Sequence, residues 1–286
     1  MADCTGVISQ LFIYPVKSCA GIEISEAQLT PAGLAMDREW MIVDQAGQFL
    51  TQRQCPHMVW ISPSISDQAL TLSAPNVLPI RIPLNFRGKP LEVTVWRDTL
   101  IADDMGDEVS KWLDAFLAIP GKQLRLVRFS KTSSRLSSAE WTQGMPAQNK
   151  FSDGFALLVV SQSALDEFNA RLQSKGYAPV DINRFRPNIV LEGPQAHEED
   201  HFDTITIHNA HGPILLKPVK PCPRCPIPDI NPYTASSSPE VSETLAEYRA
   251  IPLLNGAICF GMNTIIQAGE GLNLHTGQPF EANFKL

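Results

Sequence analysis

No apolar run in this 286-residue chain approaches the roughly 20 residues that a bilayer span needs. The stretch Phe155 to Val160 is representative. The N-terminus lacks a basic leader, and Ser9 and Gln10 split its apolar stretch, Val7 to Ile13. A secretory signal is therefore not expected, nor is a membrane partner, and the expected compartment is cytoplasmic. Basic residues are few. Lys plus Arg is 23 against 30 Asp plus Glu, a formal net charge of −7. This argues against general nucleic-acid binding, which needs a basic footprint, but not against a local basic pocket for a small anion. The six cysteines are unevenly spaced, and only Cys222 and Cys225 stand close together. That pattern excludes a secreted disulfide framework and a four-cysteine iron–sulfur run, and one C-x-x-C is an incomplete zinc signature. Among the histidines only His197-Glu198-Glu199-Asp200-His201 has H-E-x-x-H spacing, and this charged loop reads as solvated and not as metal-binding. No G-x-G-x-x-G or G-x-x-x-x-G-K-[ST] motif is present, which counts against nicotinamide and ATP binding by the common routes.

What the chain does have is β-forming sequence and proline. Proline, at 23 residues, exceeds the usual share of about 5%, and this favours strands and turns over a helix bundle. Val7 to Tyr14, Trp40 to Val43, Val59 to Ile61, Leu70 to Leu72, Leu91 to Trp96 and Thr99 to Ala102 are predicted strands at short spacing, which suits a small barrel or sandwich. Val109, Trp112, Leu113, Phe116 and Leu117 recur at helical spacing before Pro120 and Gly121. Residues 131–153 are polar and aperiodic, and are expected to form a loop or lid. In the second half, Phe155 to Val160 suits a buried strand. A helix is predicted after it, with Ser163 and Asp166 as an acidic variant of a capping box. Ile189 to Leu191, a hairpin over 203–219 turning at His211-Gly212, a helix marked by Val241, Leu245 and Tyr248, and strands at 259–267 and 272–275 complete the prediction.

Cys222-Pro223-Arg224-Cys225-Pro226 is the most reactive-looking segment. Arg224 adjoins both thiols and favours the thiolate, which is both metal ligand and nucleophile. Two buried core thiols are the alternative. The prolines place the pair on an extended segment and not at a helix start. Tyr14-Pro15-Val16-Lys17-Ser18-Cys19-Ala20-Gly21 is a strand leading into a small polar turn, able to aim N–H groups, a hydroxyl and an ammonium at one anion, or else simply a turn with a solvated lysine. In Asp37-Arg38-Glu39, Arg38 can pair with its neighbouring carboxylates or reach a phosphate, for which the guanidinium fork is well shaped. Arg186 and Asn188 fall at a strand start, where an amide can read a heterocycle edge.

Five segments in order, Tyr14-Pro15-Val16-Lys17-Ser18, Asp37-Arg38, Arg186-Pro187-Asn188, Cys222-x-x-Cys225 and Phe260-Gly261-x-Asn263, resemble the MOSC (molybdenum cofactor sulfurase C-terminal) family with its N-terminal β-barrel extension, in particular its reductases of N-hydroxylated compounds. The resemblance spans about residues 6–280. It implies a mainly-β α+β fold with peripheral helices: an N-terminal barrel-like domain, 1–122, and a C-terminal MOSC β-barrel, 123–286. It implies a molybdenum–molybdopterin cofactor, with Cys225 as the molybdenum ligand and Cys222 not. Lys17, Ser18 and Arg38 would hold the terminal phosphate, Arg186 and Asn188 would contact the pterin, and Asn263 would lie beside the cofactor. The implied activity is reduction of small N-hydroxylated substrates. No ferredoxin domain follows, so electrons are expected from a separate flavin or iron–sulfur reductase. Two departures stand out: Asn231-Pro232 where relatives carry Asp-Pro, and Gly277-Gln278 where they carry Gly-Asp. The first leaves open a non-catalytic cofactor or sulfur carrier. A third possibility keeps the fold and makes the cysteine pair structural.

Overall fold

Seven strands close into a barrel in the computed structural model, which describes residues 2–285. Around the barrel they are Leu157–Ser161, Ile189–Glu192, Cys4–Ile13, Pro279–Phe284, Phe202–Ile207, Ile214–Pro223 and Ala257–Ala268. The last returns to the first through Leu158↔Asn263. Every neighbouring pair is antiparallel except the first. Closure leaves no free edge within the ring.

The chain begins inside this barrel. On Cys4–Ile13, Ile8 and Leu11 point into a core with Ile189, Leu191, Phe280 and Ala282. A bulge between Ile8 and Gln10 shifts the alternation by one residue and so brings the Ile8 and Leu11 side chains, three apart, onto one face. From Pro15 onward the chain builds an N-terminal half-barrel. Its main sheet runs Trp40–Asp44, Leu124–Phe129, Asp98–Asp104, Pro90–Val95, with a second sheet of Ser62–Ile65, Ala69–Ala74 and Val77–Pro83. Helix Asp107–Leu117 lays Val109, Leu113 and Leu117 against Trp40, Ile42, Leu124 and Leu126. Helices Gln162–Ser174 and Glu240–Ala246 pack outside the closed barrel, over Phe185 and Phe260. The architecture is the expected mainly-β α+β fold with peripheral helices. Pairing crosses residue 122 in both directions, because Cys4–Ile13 joins the C-terminal barrel and Leu124–Phe129 the N-terminal sheet. A division at 122/123 remains our proposal for the two units, with those strands exchanged across it.

Two local predictions are corrected. Residues 59–61 are not a strand, since Pro56–Trp60 is a 3₁₀ turn with proline at its start. The helix predicted from Ser163 is capped two residues earlier. Ser161 is the N-cap, its Oγ accepting from the Ala164 N–H at 3.3 Å, while Ser163 Oγ donates to the Pro194 carbonyl.

That cap is tied to a buried carboxyl. Glu199 is fully buried and accepts from the Ser161 N–H at 3.1 Å and from Ser161 Oγ at 2.6 Å. Burial, with Asp200 nearby, pushes its pKa up to about 7 from an ordinary 4.5. A carboxyl raised in the folded state stabilises the fold while neutral, so this contribution is lost as pH rises from the unfolded value through about 7. Glu199→Gln is therefore expected to flatten the fall in stability over that window. It should gain roughly 2–3 kcal/mol at about pH 8. Urea unfolding on either side of the window checks it; a variant less stable than the parent at the upper pH contradicts it.

Candidate functional site

The turn Tyr14–Ser18 carries the chain out of the closed barrel into the half-barrel. Ile13 belongs to one core and Val16 to the other. The turn is fixed by the strand Trp40–Asp44, since the Lys17 N–H donates to the Trp40 carbonyl at 2.8 Å and the Trp40 N–H to the Pro15 carbonyl at 2.9 Å. This seam opens into a cleft that encloses about 110 Å³, or about 790 Å³ counting its open mouth. All seven residues singled out in the sequence line it: Lys17, Ser18, Arg38, Arg186, Asn188, Cys225 and Asn263. They come from five separate stretches of chain.

Three of these residues sit in left-handed backbone: Ser18 at φ 64°, Arg38 at 44° and Arg186 at 57°. Each such non-glycine residue costs roughly 1–2 kcal/mol. The surroundings hold them there. The Arg38 N–H donates to the Tyr14 carbonyl at 2.8 Å, and the Arg38 carbonyl accepts from the Phe151 N–H at 3.1 Å. The Ser18 carbonyl accepts from Gln52 Nε2 at 2.7 Å.

Arg38 pairs with Asp37, its Nη1 donating to both carboxylate oxygens at 2.8 and 2.7 Å, and not with Glu39, which binds Arg128 and Lys150. The same Nη1 donates to Asn188 Oδ1 at 3.1 Å, and Nη2 to the Arg186 carbonyl. Asn188 is fully buried and also ties two strands, accepting from the Leu158 N–H and donating to the Phe12 carbonyl. Its amide thus braces Arg38 as well as facing the cleft. The Arg186 and Arg38 guanidinium groups lie 4.2 and 4.3 Å from the Tyr14 ring. Burial lowers Arg186 to about 10, which leaves it charged at neutral pH.

Residues that no motif announced complete the cleft. Lys17 Nζ contacts Asp153 Oδ1 at 2.5 Å and donates to the Phe151 carbonyl at 2.8 Å. Burial lowers the lysine pKa despite Asp153. The Asp153 side chain is largely exposed, and the ammonium beside it holds that carboxyl well below the usual range. Trp96 Nε1 donates to the same oxygen at 3.1 Å, and the Arg53 guanidinium lies 4.8 Å from the Trp96 ring. The only sequence signal for Asp153 was its place at the end of the polar stretch 131–153, just before a buried strand.

At the cysteine pair, Arg224 Nη1 donates to Cys222 Sγ at 3.2 Å, and Nη2 to the Phe185 carbonyl at 2.8 Å. The expectation that Arg224 favours thiolate at both sulfurs does not hold at Cys222, where burial outweighs the arginine and raises the pKa. Cys222 lies on the strand ending at Pro223, and Cys225 just beyond it, on extended chain as the prolines required. Asn231 closes a local turn, its Oδ1 accepting from the Tyr233 and Thr234 N–H groups. An aspartate would serve equally there, and Asn231 does not line the cleft. Gln278 likewise ties a turn, between His275 and the His208 carbonyl.

Among the described residues, no group of three or more His, Cys, Asp or Glu side chains is placed to hold a metal ion. A pair of cysteines beside a basic pocket, with no third ligating side chain grouped with them among the described residues, suits only a metal that brings most of its ligands with it on an anionic carrier. The Arg224 Nε is buried without a partner, a donor open to such a group.

A closed barrel, a half-barrel and a thiol-bearing basic cleft at their seam define one known class. Residues 5–120 match the MOSC N-terminal beta barrel domain and residues 146–281 the MOSC domain, and the chain belongs to this family. It is 33% identical to mitochondrial amidoxime reducing component 2 of Bos taurus over 253 residues, covering 85% of this chain and 72% of the relative. It is 34% identical to mitochondrial amidoxime-reducing component 1 of Homo sapiens over 260 residues, with the same coverage. Molybdenum cofactor sulfurase of Bos taurus is 28% identical over 260 residues, covering 85% of this chain but 29% of that one. The relationship is thus to oxidoreductases of the family. The relatives' names correct the cytoplasmic expectation and point to mitochondria instead. That expectation came from the lack of a secretory signal, which does not bear on other compartments. Among the described residues no helix is long and apolar enough to cross a membrane.

Proposed function

We propose that the chain is a molybdenum–molybdopterin oxidoreductase that reduces N-hydroxylated compounds, with electrons from a separate flavin or iron–sulfur protein. The observation that carries this reading is one cleft lined by two neighbouring thiols, Cys222 and Cys225, and by the cations Lys17, Arg38 and Arg186, with no protein metal cage among the described residues. When bound, the cofactor supplies two-electron exchange of an oxygen atom with the N–O group.

The chain's own residues would ligate, hold and orient it. Cys225 offers the soft sulfur. Lys17, Ser18 and Arg38 would take the terminal phosphate; Asp153 competes for Lys17, so a phosphate arriving there must displace that carboxylate. Arg38 is held in place at the cleft by Asp37, Asn188 and the Arg186 carbonyl. Arg186 and Asn188 would meet the pterin, with Asn263 beside it on the strand that closes the barrel. Overall, R–C(=NOH)NH₂ with two electrons and two protons gives R–C(=NH)NH₂ and water.

Molybdenum-loaded protein given reduced viologen should convert benzamidoxime to benzamidine, followed by chromatography. Loaded protein that never forms the amidine would overturn the reading. It would favour instead a carrier, for which similarity to the sulfurase is the supporting observation.

A further inference from the structure

A larger cavity of about 510 Å³ adjoins the cleft, and the two share Arg186 and Ile227 in their walls. It lies between the half-barrel, which contributes Trp60 and Ala74, and the barrel loops, which contribute Arg184 and Tyr233. The rim is tied across, since Trp60 Nε1 donates to the Tyr233 carbonyl at 3.1 Å and the Tyr233 hydroxyl to Asp181 at 2.6 Å. Tyr14 forms part of the wall, and its buried hydroxyl has no partner. Gly21 keeps the space beside it, for a Cβ there would come within 2.5 Å of the Tyr14 ring. Such a volume with aromatic walls suits a small aryl or heteroaryl ligand.

The charge of the lining is one-sided. Arg184 and Arg186 are present, and no described carboxylate lines the cavity. Neither arginine is free to swing away. Arg184 Nη1 donates to the Pro228 carbonyl at 2.9 Å, and Arg186 Nη1 to the Cys19 carbonyl at 2.7 Å. Asp181, Asp229 and Glu240 act on Arg184 from outside the lining. A cation therefore meets like charge on entering, and an uncharged ring does not.

We propose that this cavity seats the aromatic body of an uncharged N-hydroxylated substrate, and that its two arginines disfavour the cationic product. The inference rests on the reductase reading. It adds a chemical reason for turnover, since amidoximes are weak bases and neutral at pH 7, whereas the amidines left after loss of the oxygen as water are strong bases and protonated. Reduction changes the ligand from one the cavity accepts to one it repels.

The test is calorimetric titration of the molybdenum-loaded, full-length protein without an electron donor, using benzamidoxime and benzamidine as probes. Benzamidoxime should bind at least about ten-fold more tightly than benzamidine. Ala74→Trp, which fills the cavity, should weaken benzamidoxime about ten-fold while molybdenum content stays unchanged. Tyr233→Ala, at an exposed rim position, should weaken it several-fold. Equal or tighter binding of benzamidine, or affinity unchanged in both variants, overturns the inference. So does loss of molybdenum from Ala74→Trp, which would assign the cavity to the cofactor. Selective binding that follows the variants in a protein unable to reduce benzamidoxime would sink the reductase reading alone. A working reductase whose affinity ignores both variants would sink this inference alone.

Discussion

Arg38→Met is expected to destabilise the fold by about 3–5 kcal/mol, because it strands a buried carboxylate. Asp37 is 2% exposed and has two partners, the Tyr14 N–H at 2.7 Å and Arg38 Nη1. Methionine keeps the unbranched apolar stem and removes the charge and all the donors. Asn188 Oδ1 and the Arg186 carbonyl each lose a partner in the same step. The left-handed backbone at Arg38 then loses the side-chain contacts that help to hold it. Urea unfolding of the cofactor-free protein measures the loss without a contribution from ligand binding. If the loss is a stranded charge, adding Asp37→Asn should recover part of it, since the amide still accepts from the Tyr14 N–H. An Arg38→Met protein within about 1 kcal/mol of the parent would mean that the pair contributes no more than a surface ion pair does.

The second large effect concerns the two cysteines. Cys225→Ala should abolish both molybdenum retention and reduction of benzamidoxime, whereas Cys222→Ala should retain both. The environments differ. Cys222 is packed against the core over Phe185 and Phe260, its thiol is raised by burial, and its sulfur accepts from Arg224. Both cysteines line the cleft, but Cys225 stands past the end of the strand that holds Cys222. Removing Cys222 takes a partner from Arg224, but Nη2 still holds the Phe185 carbonyl, so the arginine keeps its place. Metal analysis of the two variants, purified in parallel, separates the roles. Loss of molybdenum from Cys222→Ala with retention in Cys225→Ala would reverse the assignment.

Much of the fold was legible because its signals are local. The helix Asp107–Leu117 follows its apolar spacing, and it stops at Ala118 in left-handed backbone, just before Pro120 and Gly121. The hairpin expected to turn at His211-Gly212 forms between Phe202–Ile207 and Ile214–Pro223. What was not legible is where Cys4–Ile13 goes. Its pattern specifies a half-buried strand, but its partners, Ile189–Glu192 and Pro279–Phe284, lie at the other end of the sequence. Nothing in a strand's own alternation names a distant partner. The same limit applied at the cleft. Lys17, Arg38, Arg186, Asn188 and Cys225 stood in recognisable segments, but Asp153 and Trp96 did not. Both act there through long-range contacts, Asp153 with Lys17 and Trp96 with Asp153. At Cys222 the sequence placed an arginine next to a thiol and could not weigh it against burial, which wins.

The central claim is that the seam cleft holds molybdenum on Cys225. It is tested most directly by the metal content of the wild-type protein, measured by mass spectrometry after purification from a host that makes the cofactor in excess. Close to one molybdenum per chain, released together with a phosphorylated pterin, is the predicted result. No molybdenum despite that supply, or zinc in its place, would contradict it.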